Sequence, residues 1–273
     1  TFNERLLLTL GKSDWNTRVR NLNEKTDLDI DATIYKETNG QFQPNGVGIA
    51  FISDRLGKSQ LWLKLDDTSA PLTSSDINID EFVWTQDGNT IFYLAGDQLW
   101  QKRLDTEARR INAPYKIKRV FQATNEHLLL IGAKQQEKKL IWYNYKNGNI
   151  TILLDREVDW AQYIDDTTFV TNDPRGKLKI YKQGKLQTKT GLPDIIIQWR
   201  YLWRQGPEGK HLYFQDKKNN IWQYDFAGNT AEIIGNYDEK ALFMTDYDAT
   251  YHRMLSNNFV AQTRGLYSLT KAQ

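Results

Sequence analysis

The chain of 273 residues contains no cysteine. This absence excludes disulfide bonds, thiolate metal sites and a cysteine nucleophile, although it suits the cytoplasm and the periplasm equally. No apolar run approaches the roughly 18–20 residues that a helix needs to span a bilayer. The sequence shows no signal peptide and starts at Thr1 rather than at Met. We therefore expect a mature or excised fragment, with any membrane tether lying outside it.

The net charge of the chain is also small. The 36 Lys and Arg residues nearly balance the 34 Asp and Glu residues, which leaves a net charge of +2. A nucleic-acid-binding surface needs a one-sided basic stripe, so we predict no direct binding of nucleic acid. The sequence also lacks a G-x-S-x-G elbow, an H-E-x-x-H helix and a glycine-rich phosphate loop. These absences predict a chain that is not an enzyme, with no catalytic residues, no metal and no cofactor.

Aromatic residues, by contrast, are abundant, with 9 Trp and 14 Tyr. The stretch from Asn45 to Leu65 shows how they are arranged. Its two apolar runs, Val47 to Ile52 and Leu61 to Leu65, flank a polar turn. In the second run the leucines alternate, so that they fall on one face of a strand and Trp62 falls on the other. This pattern predicts a β-hairpin.

The same unit recurs to the end of the chain. Its marker is an aromatic or branched residue in the later strand of each hairpin, and successive markers lie 43, 38, 42, 39, 41 and 45 residues apart. The markers are Val19, Trp62, Trp100, Trp142, Tyr181, Trp222 and Tyr267. A period of about 40–45 residues is typical of four-stranded propeller blades.

The third unit shows the internal order most clearly. Its predicted strands are Asp80 to Trp84, Thr90 to Leu94, Gln98 to Leu104 and Glu107 to Ile111. Between the first two strands, Asp87-Gly88 supplies the positive φ that a tight turn requires. In the sixth unit, the alternation from Ile195 to Trp203 predicts an inner strand.

These units predict an all-β fold, a β-propeller of four-stranded blades that forms a single domain over residues 1–273. A lone sheet cannot cover both of its faces, whereas blades packed in a closed ring can. The first unit begins directly with Arg5 to Leu10 and lacks an inner strand, while the last ends after Gly265 to Leu269 without an outer strand. We therefore expect the N- and C-terminal segments to pair and close the ring. Seven blades are favoured, and six is the alternative if the first and last units share one blade.

The second and third units resemble a known repeat. The run Phe-Ile-Ser-Asp-Arg at 51–55, with Gly57 and Ser-Gln-Leu-Trp at 59–62, is similar to one half of a TolB-like (WD-repeat-like) β-propeller repeat. Trp84 to Tyr93, with its Asp-Gly turn, is similar to the other half. In register the chain looks most like the periplasmic propeller domain of CadC/ToxR-like winged-helix membrane regulators.

That resemblance implies a function. The expected protein is a non-catalytic, periplasmic sensor domain of a membrane-bound transcriptional regulator. It would contact a protein or peptide partner, or a small ligand, at one mouth of the ring. Two alternatives stay open: a periplasmic TolB-like scaffold in an envelope complex, and the propeller domain of a prolyl-oligopeptidase-like peptidase.

Candidate binding residues lie in the turns between the second and third strands of the blades. Such turns share one face of the disc, so they would present an interrupted circle of carboxylates and cations to a partner. The predicted set is Asp54, Arg55, Asp97, Asp173, Arg175, Asp216 and Lys217. Trp15, in a predicted turn that also holds Lys12 and Asp14, is the candidate aromatic anchor. The alternative is local: a turn Asp accepts backbone N–H groups and the basic side chain is solvated.

The remaining polar and aromatic candidates are interpreted as structural. Three histidines fall near the starts of second strands in different blades, too far apart to hold one metal ion: His127, His211 and His252. The acidic pairs Asp66-Asp67 and Asp165-Asp166 lie in turns, with a spacing unlike that of a calcium loop. Five aromatic residues at matching ends of inner strands predict repeated core packing rather than a stacking platform: Phe42, Trp84, Phe121, Tyr163 and Trp203.

Overall fold

The structure, a computed structural model, describes residues 5–31, 33–44, 46–173, 175–194, 204–205, 211–236, 242–248 and 250–270. Within these residues every regular element is a β-strand, and the strands form six antiparallel sheets of four strands each. The prediction of an all-β propeller with four-stranded blades is therefore confirmed. None of the described residues forms a helix long and apolar enough to cross a bilayer.

The strands follow the repeat along the chain. The chain opens with β1 (Arg5–Asn21) and β2 (Thr26–Asp29). Blade 1 consists of β3 (Glu37–Phe42), β4 (Ile49–Ser53), β5 (Gln60–Leu65) and β6 (Thr68–Pro71). Blade 2 consists of β7 (Ile79–Trp84), β8 (Thr90–Ala95), β9 (Gln98–Arg103) and β10 (Arg109–Arg110). Blade 3 consists of β11 (Lys116–Ala123), β12 (His127–Lys134), β13 (Glu137–Asn144) and β14 (Ile150–Leu154).

The second half continues in the same way. Blade 4 consists of β15 (Ala161–Asp165), β16 (Thr168–Asn172), β17 (Leu178–Lys182) and β18 (Lys185–Leu186). Blade 5 consists of β19 (Arg204–Gln205), β20 (His211–Gln215), β21 (Asn220–Asp225) and β22 (Thr230–Asn236). The last strands are β23 (Leu242–Asp248) and β24 (Arg253–Thr270). The predicted inner strand from Ile195 to Trp203 lies outside the described residues.

Each blade packs between two neighbours through buried apolar side chains. Leu61 and Leu63 of β5 pack with Trp84 of blade 2, whereas Trp62, on the opposite face of β5, packs with Leu255 of β24. The alternation predicted for this strand is thus confirmed. In the described part of the chain there are six such clusters, one at each interface between successive blades. Because one of them joins β24 to blade 1, the ring is closed.

Blade 6 is made from both ends of the chain. Its strand order is β23, β24, β1, β2, so the C-terminal segment supplies the inner strands and the N-terminal segment the outer ones. The predicted pairing of the two terminal segments is confirmed. Since the first and last units share one blade, the ring has six blades over the described residues, the alternative count, rather than the favoured seven.

The pattern that suggested a seventh unit has a physical origin. Beyond blade 6, β1 and β24 continue as a two-stranded ribbon in which Arg5 to Asp14 pair with Thr270 to Ala261. Tyr267, the last marker of the repeat, is paired with Leu8 in this ribbon. The two segments interpreted as strands of separate units are therefore partners of one another. A ribbon and a blade strand share the same two-residue periodicity, so the sequence pattern does not distinguish them.

Side chains on the inner strands connect each blade to the next. The inner strands carry β-bulges, and residues at these bulges form hydrogen bonds with the following inner strand. The bonds are Gln41 Nε2 to Phe82 O at 2.8 Å, Val120 N to Glu81 Oε1 at 2.5 Å, Tyr163 N to Gln122 Oε1 at 2.8 Å and Phe42 N to Asp246 Oδ2 at 2.8 Å. The last of these spans the closure between blades 6 and 1.

The predicted Asp87-Gly88 turn is present between β7 and β8. Gly88 has a φ of 68°, which favours glycine. A Cβ atom there would also lie 1.9 Å from the carbonyl oxygen of Pro44 in blade 1. The glycine therefore permits both the turn and the close approach of two neighbouring blades.

Candidate functional site

The centre of the ring holds a cavity of about 490 Å³. Its lining comes mainly from the inner strands, because these strands surround the axis. The lining residues are Asn39 and Gln41 of blade 1, Asp80 to Val83, Leu94 and Asp97 of blade 2, Lys118 to Phe121 of blade 3, Trp160 before blade 4, and Thr245 of blade 6. Five of the six blades thus contribute to one site.

Exposed charges surround the mouth of this cavity. Asp97, in the turn between β8 and β9, forms ion pairs with Lys116 at 2.7 Å and with Lys118 at 3.2 Å, both at the start of β11. Hydrogen bonds from Lys116 and then from Lys118 lower the pKa of Asp97. The acid therefore stays ionised across the physiological range, and the mouth carries a fixed pattern of opposite charges.

A second ion pair lies on the inner strands. Arg119 Nε donates to Glu81 Oε2 at 2.8 Å, and the Arg119 guanidinium lies 5.4 Å from the centre of the Phe121 ring. Burial raises the pKa of Glu81 in spite of Arg119 and of the N–H of Val120, which favour the ionised form. The wall of the central cavity, which forms a channel along the ring axis, thus holds an ion pair beside an aromatic surface. This arrangement can receive a ligand with both polar and apolar parts.

The predicted turn residues lie where the sequence placed them. Turns between second and third strands contain Asp54, Arg55, Asp97, Asp173, Arg175, Asp216 and Lys217. Of this set, Asp97 lines the central cavity. Arg175 and Lys217 are exposed. Their role as a rim for a partner stays a prediction.

Two of the turn aspartates, Asp173 and Asp216, make the local bonds that the alternative interpretation expects, whereas Asp54 accepts from a backbone N–H 18 residues away. Asp54 Oδ1 accepts from Lys36 N at 3.0 Å, and Asp173 Oδ1 accepts from Arg175 N and Lys177 N at 2.9 Å each. Asp216 is 5% exposed and accepts from two backbone N–H groups and from Trp222 Nε1, the latter at 2.9 Å. Burial by itself would raise the pKa of Asp216, but the hydrogen bonds from Trp222, Asn220 and Lys218 outweigh it, so the pKa is lowered. These contacts order the turns.

Arg55 is part of a largely buried network in blade 1. Its guanidinium pairs with Glu37 at 2.6 Å and with Asp31 at 3.0 Å, and it lies 4.3 Å from the centre of the Trp62 ring. The Glu37 side chain is fully buried, and burial raises its pKa although Thr33 and Arg55 oppose the shift. Arg55 therefore has a structural role that the sequence did not indicate.

Trp15 is not in a turn, as the sequence predicted, but in strand β1. It is half-buried and pairs with Phe259 of β24, next to a β-bulge at Asp14. Lys12 and Asp14, assigned to the same turn, also lie in β1. The reason is that the N-terminal segment forms one continuous strand of 17 residues instead of a hairpin. Trp15 as an anchor for a partner stays a prediction.

The other candidates that the structure describes, interpreted as structural, lie in the strands of the blades or in the turns between them. The histidines lie at the starts of β12 and β20 and just before β24. His127 stacks on Trp142 at 5.0 Å, and His252 Nδ1 lies 3.0 Å from the Tyr247 hydroxyl. In the described part of the chain, no group of three or more His, Asp or Glu side chains could hold a metal ion. Of the inner-strand aromatics, Trp84 is buried in the core between blades 1 and 2. Phe42, Phe121 and Tyr163 are partly buried and pack against the core clusters of other blade interfaces, while Trp203 lies outside the described residues.

The sequence analysis missed several residues of the cavity, chiefly Glu81, Lys118 and Arg119. For Glu81 a signal was present, because this charged residue lies inside the predicted inner strand from Asp80 to Trp84. Because a charged side chain is rarely buried unless it is paired, a charge inside an inner strand indicates an ion pair or a side chain that faces the central cavity.

Comparison with solved structures identifies proteins that have a similar fold. No protein-family profile and no curated protein matches the sequence. A protein described as TolB from Agrobacterium tumefaciens has a TM-score of 0.66 at 11% identity, over 92% of this chain and 99% of that one. The fold is that of a TolB-like β-propeller. TolB from Acinetobacter baumannii has a TM-score of 0.57 at 12% identity, over 91% of this chain and 64% of that one.

The chain is also similar in fold to an enzyme. An oligogalacturonate lyase solved in complex with manganese has a TM-score of 0.52 at 11% identity, over 95% of this chain and 98% of that one. At such identities the likeness concerns the fold alone, and a propeller hosts unrelated functions. The function must therefore be argued from the side chains of the site.

Proposed function

We propose that this propeller is a non-catalytic binding module that contacts a protein or peptide partner at the mouth of its central channel. The observation that carries the proposal is the cavity of about 490 Å³, which five of the six blades line together. Because blades pack rigidly on one another, such a site is pre-formed and needs little reorganisation on binding.

The lining suggests the chemistry of the partner. Asp80 and Asp97 stand beside Lys118 and Arg119, and Phe121 adds an aromatic surface. A peptide segment with a charged side chain next to an apolar one would match this mixture. Exposed charges of this kind steer association more than they add affinity, so we expect binding to weaken as salt concentration rises.

The proposed setting is the periplasm, where the propeller would act as the extracytoplasmic sensor domain of a membrane-bound transcriptional regulator. Support for this comes from the register of the repeats, in which the chain looks most like CadC/ToxR-like propellers. The second candidate is a scaffold in an envelope complex, which the similarity to two TolB structures favours. A third is the propeller domain of a prolyl-oligopeptidase-like peptidase.

The full-length gene distinguishes these candidates. A winged helix followed by a membrane span upstream indicates the regulator. A signal peptide and a further N-terminal α/β domain indicate the TolB-like scaffold, and a downstream α/β-hydrolase domain indicates the peptidase. The similarity to a lyase adds an enzymatic outcome, which turnover of oligogalacturonate by the purified chain with manganese would reveal.

The binding site itself is tested with two charge reversals on the same face of the ring. Lys118→Glu alters the cavity lining, whereas Lys138→Glu alters an exposed pair with Glu157, 2.8 Å away, outside that lining. We expect capture of partners from an envelope extract to fall about tenfold or more for Lys118→Glu and to stay within about twofold for Lys138→Glu. Equal capture by both variants would contradict a site at the channel mouth.

A further inference from the structure

A second cavity, of about 320 Å³, lies between blades 2 and 3. It is lined by turns that join first to second and third to fourth strands, together with residues of β9 and β10. In an antiparallel blade these turns lie on the face opposite the turn that carries Asp97. The second cavity is therefore separate from the channel mouth.

Positive charge dominates the lining of the second cavity. Arg103, Arg109 and Lys146 contribute three cations, against a single carboxylate from Asp87. Asp87 Oδ1 already accepts hydrogen bonds from Thr85 Oγ1 at 2.6 Å and from the backbone N–H of Asn89. Burial by itself would raise the pKa of Asp87, but these bonds outweigh it and lower the pKa. The carboxylate is thus engaged in its own turn and leaves the three cations of the lining to interact with other groups.

Arg109 is the most firmly placed of the three cations. Its Nε donates to Gln101 Oε1 at 2.7 Å, and Gln101 is only 7% exposed, which fixes one edge of the guanidinium. Among the described residues, no carboxylate forms an ion pair with Arg109. By contrast, Arg103 and Lys146 form loose, exposed pairs with Asp105 at 3.3 Å and with Glu126 at 3.4 Å, which a competing anion can replace at little cost.

An aromatic side chain supplies one wall. The ring of Tyr145 packs against Phe92 with 4.6 Å between centroids, and its hydroxyl donates to Thr124 O at 3.3 Å. Both contacts hold the ring in place. Thr85 and Thr90, at 2% and 9% exposure, complete a polar floor. The cavity therefore combines one oriented cation, two exposed cations, a fixed aromatic ring and hydroxyl groups within a small volume.

We propose that this cavity binds a small organic oxyanion, a phosphate ester or carboxylate of about the size of a monosaccharide. The N–H groups of Arg109 that Gln101 does not use would hold the anion, because the planar fork of a guanidinium can donate to two oxygen atoms of either a carboxylate or a phosphate. Arg103 and Lys146 add attraction, and Tyr145 packs against the carbon frame of the ligand. A volume of about 320 Å³ is at the small end of the range of ligand pockets. This site is independent of the partner proposed for the channel mouth.

The test is calorimetric titration of the whole chain with glucose 6-phosphate, glucuronate and glucose at low salt. We expect saturable binding of at least one of the two anions, with glucose at least about tenfold weaker. The tighter anion identifies the group that is recognised. Arg109→Gln should weaken binding about tenfold or more, the effect of losing one charge-assisted hydrogen bond.

The matched control is Arg110→Gln. Arg110 is the neighbour of Arg109 on β10 and is exposed, but it does not line the cavity. We expect it to change affinity less than about twofold, with circular dichroism showing that both variants are folded. Absence of saturable binding of both anions up to about 10 mM would overturn the proposal. An equal loss with the two arginine variants would also overturn it, since it would indicate a general effect of net charge.

Discussion

Arg55 and Arg175 occupy corresponding turns of blades 1 and 4, yet the structure predicts very different costs for their removal. Arg55→Ala deletes ion pairs of 2.6 Å to Glu37 and 3.0 Å to Asp31, and the contact with Trp62 at 4.3 Å. Removing one partner of a buried pair costs about 3–5 kcal/mol, because the other charge stays buried and unpaired. Arg55 retains 15% exposure, so we expect a loss near the lower end, about 3 kcal/mol.

Arg175→Ala is the matched control. Its side chain is exposed, and we expect its effect on the free energy of unfolding to stay within about 0.5 kcal/mol. Arg55→Lys should fall between the two, since an ammonium keeps the charge but loses the planar contact with Trp62. The assay is urea unfolding at pH 7, followed by tryptophan fluorescence and circular dichroism. A loss below about 1 kcal/mol for Arg55→Ala would refute the network.

The pH dependence of the same variant provides a second check. Burial already raises the pKa of Glu37 above its ordinary value of 4.5, and removal of Arg55 should raise it further. A carboxyl group with a raised pKa in the folded state contributes stability at low pH and loses it as pH rises through that pKa. The deficit of Arg55→Ala relative to the unmodified chain should therefore be smaller at about pH 4 than at pH 7. A deficit that grows toward low pH would assign the destabilisation to another cause.

Substitutions at two further positions, Glu81 and Gly88, test the contacts between blades. Glu81→Ala removes both the acceptor of Val120 N and the ion-pair partner of Arg119, so it should lower the free energy of unfolding by about 2–3 kcal/mol. Glu81→Gln keeps an acceptor for Val120 N and should lower it by about 1 kcal/mol; both values are measured by thermal unfolding. Equal costs for the two would show that the bond between blades 2 and 3 contributes nothing. Gly88→Ala combines a positive φ with a Cβ 1.9 Å from Pro44 O, while Gly148→Ala has a similar φ and open space. We expect Gly148→Ala to lower the free energy of unfolding by about 1 kcal/mol and Gly88→Ala to lower it clearly more. Equal losses for the two variants would exclude close packing at the turn that holds Gly88.

Much of the fold could be predicted from the sequence because its signals are local. Alternation around Trp62 and the Asp87-Gly88 turn depend on residues close in the chain, and both are confirmed by the structure. The closure of the ring is different. It pairs residues about 240 positions apart, such as Thr17 and Asn257, so no local pattern could separate one shared blade from two incomplete ones.

The candidate site was less accessible to sequence analysis for a similar reason. Turn residues such as Asp97 could be identified from their position in the repeat. Whether an arginine is exposed, as Arg175 is, or partly buried in an ion pair, as Arg55 is, depends on acids such as Glu37 that lie elsewhere in the chain. The cavity likewise draws on five blades, and only the folded ring brings Glu81 and Arg119 together.

The central structural claim is a six-bladed ring closed by a blade that both termini share, and a designed cross-link tests it directly. The chain has no cysteine, so Thr17→Cys and Asn257→Cys introduce a single pair at positions that face each other on β1 and β24. Paired residues on antiparallel strands have Cβ atoms about 4.5–5.5 Å apart, close enough for a disulfide after small adjustments. Oxidation of the folded monomer should consume both thiols within one molecule, with each single-cysteine variant as control. Thiols that stay free, or that join only different molecules, would contradict the shared blade.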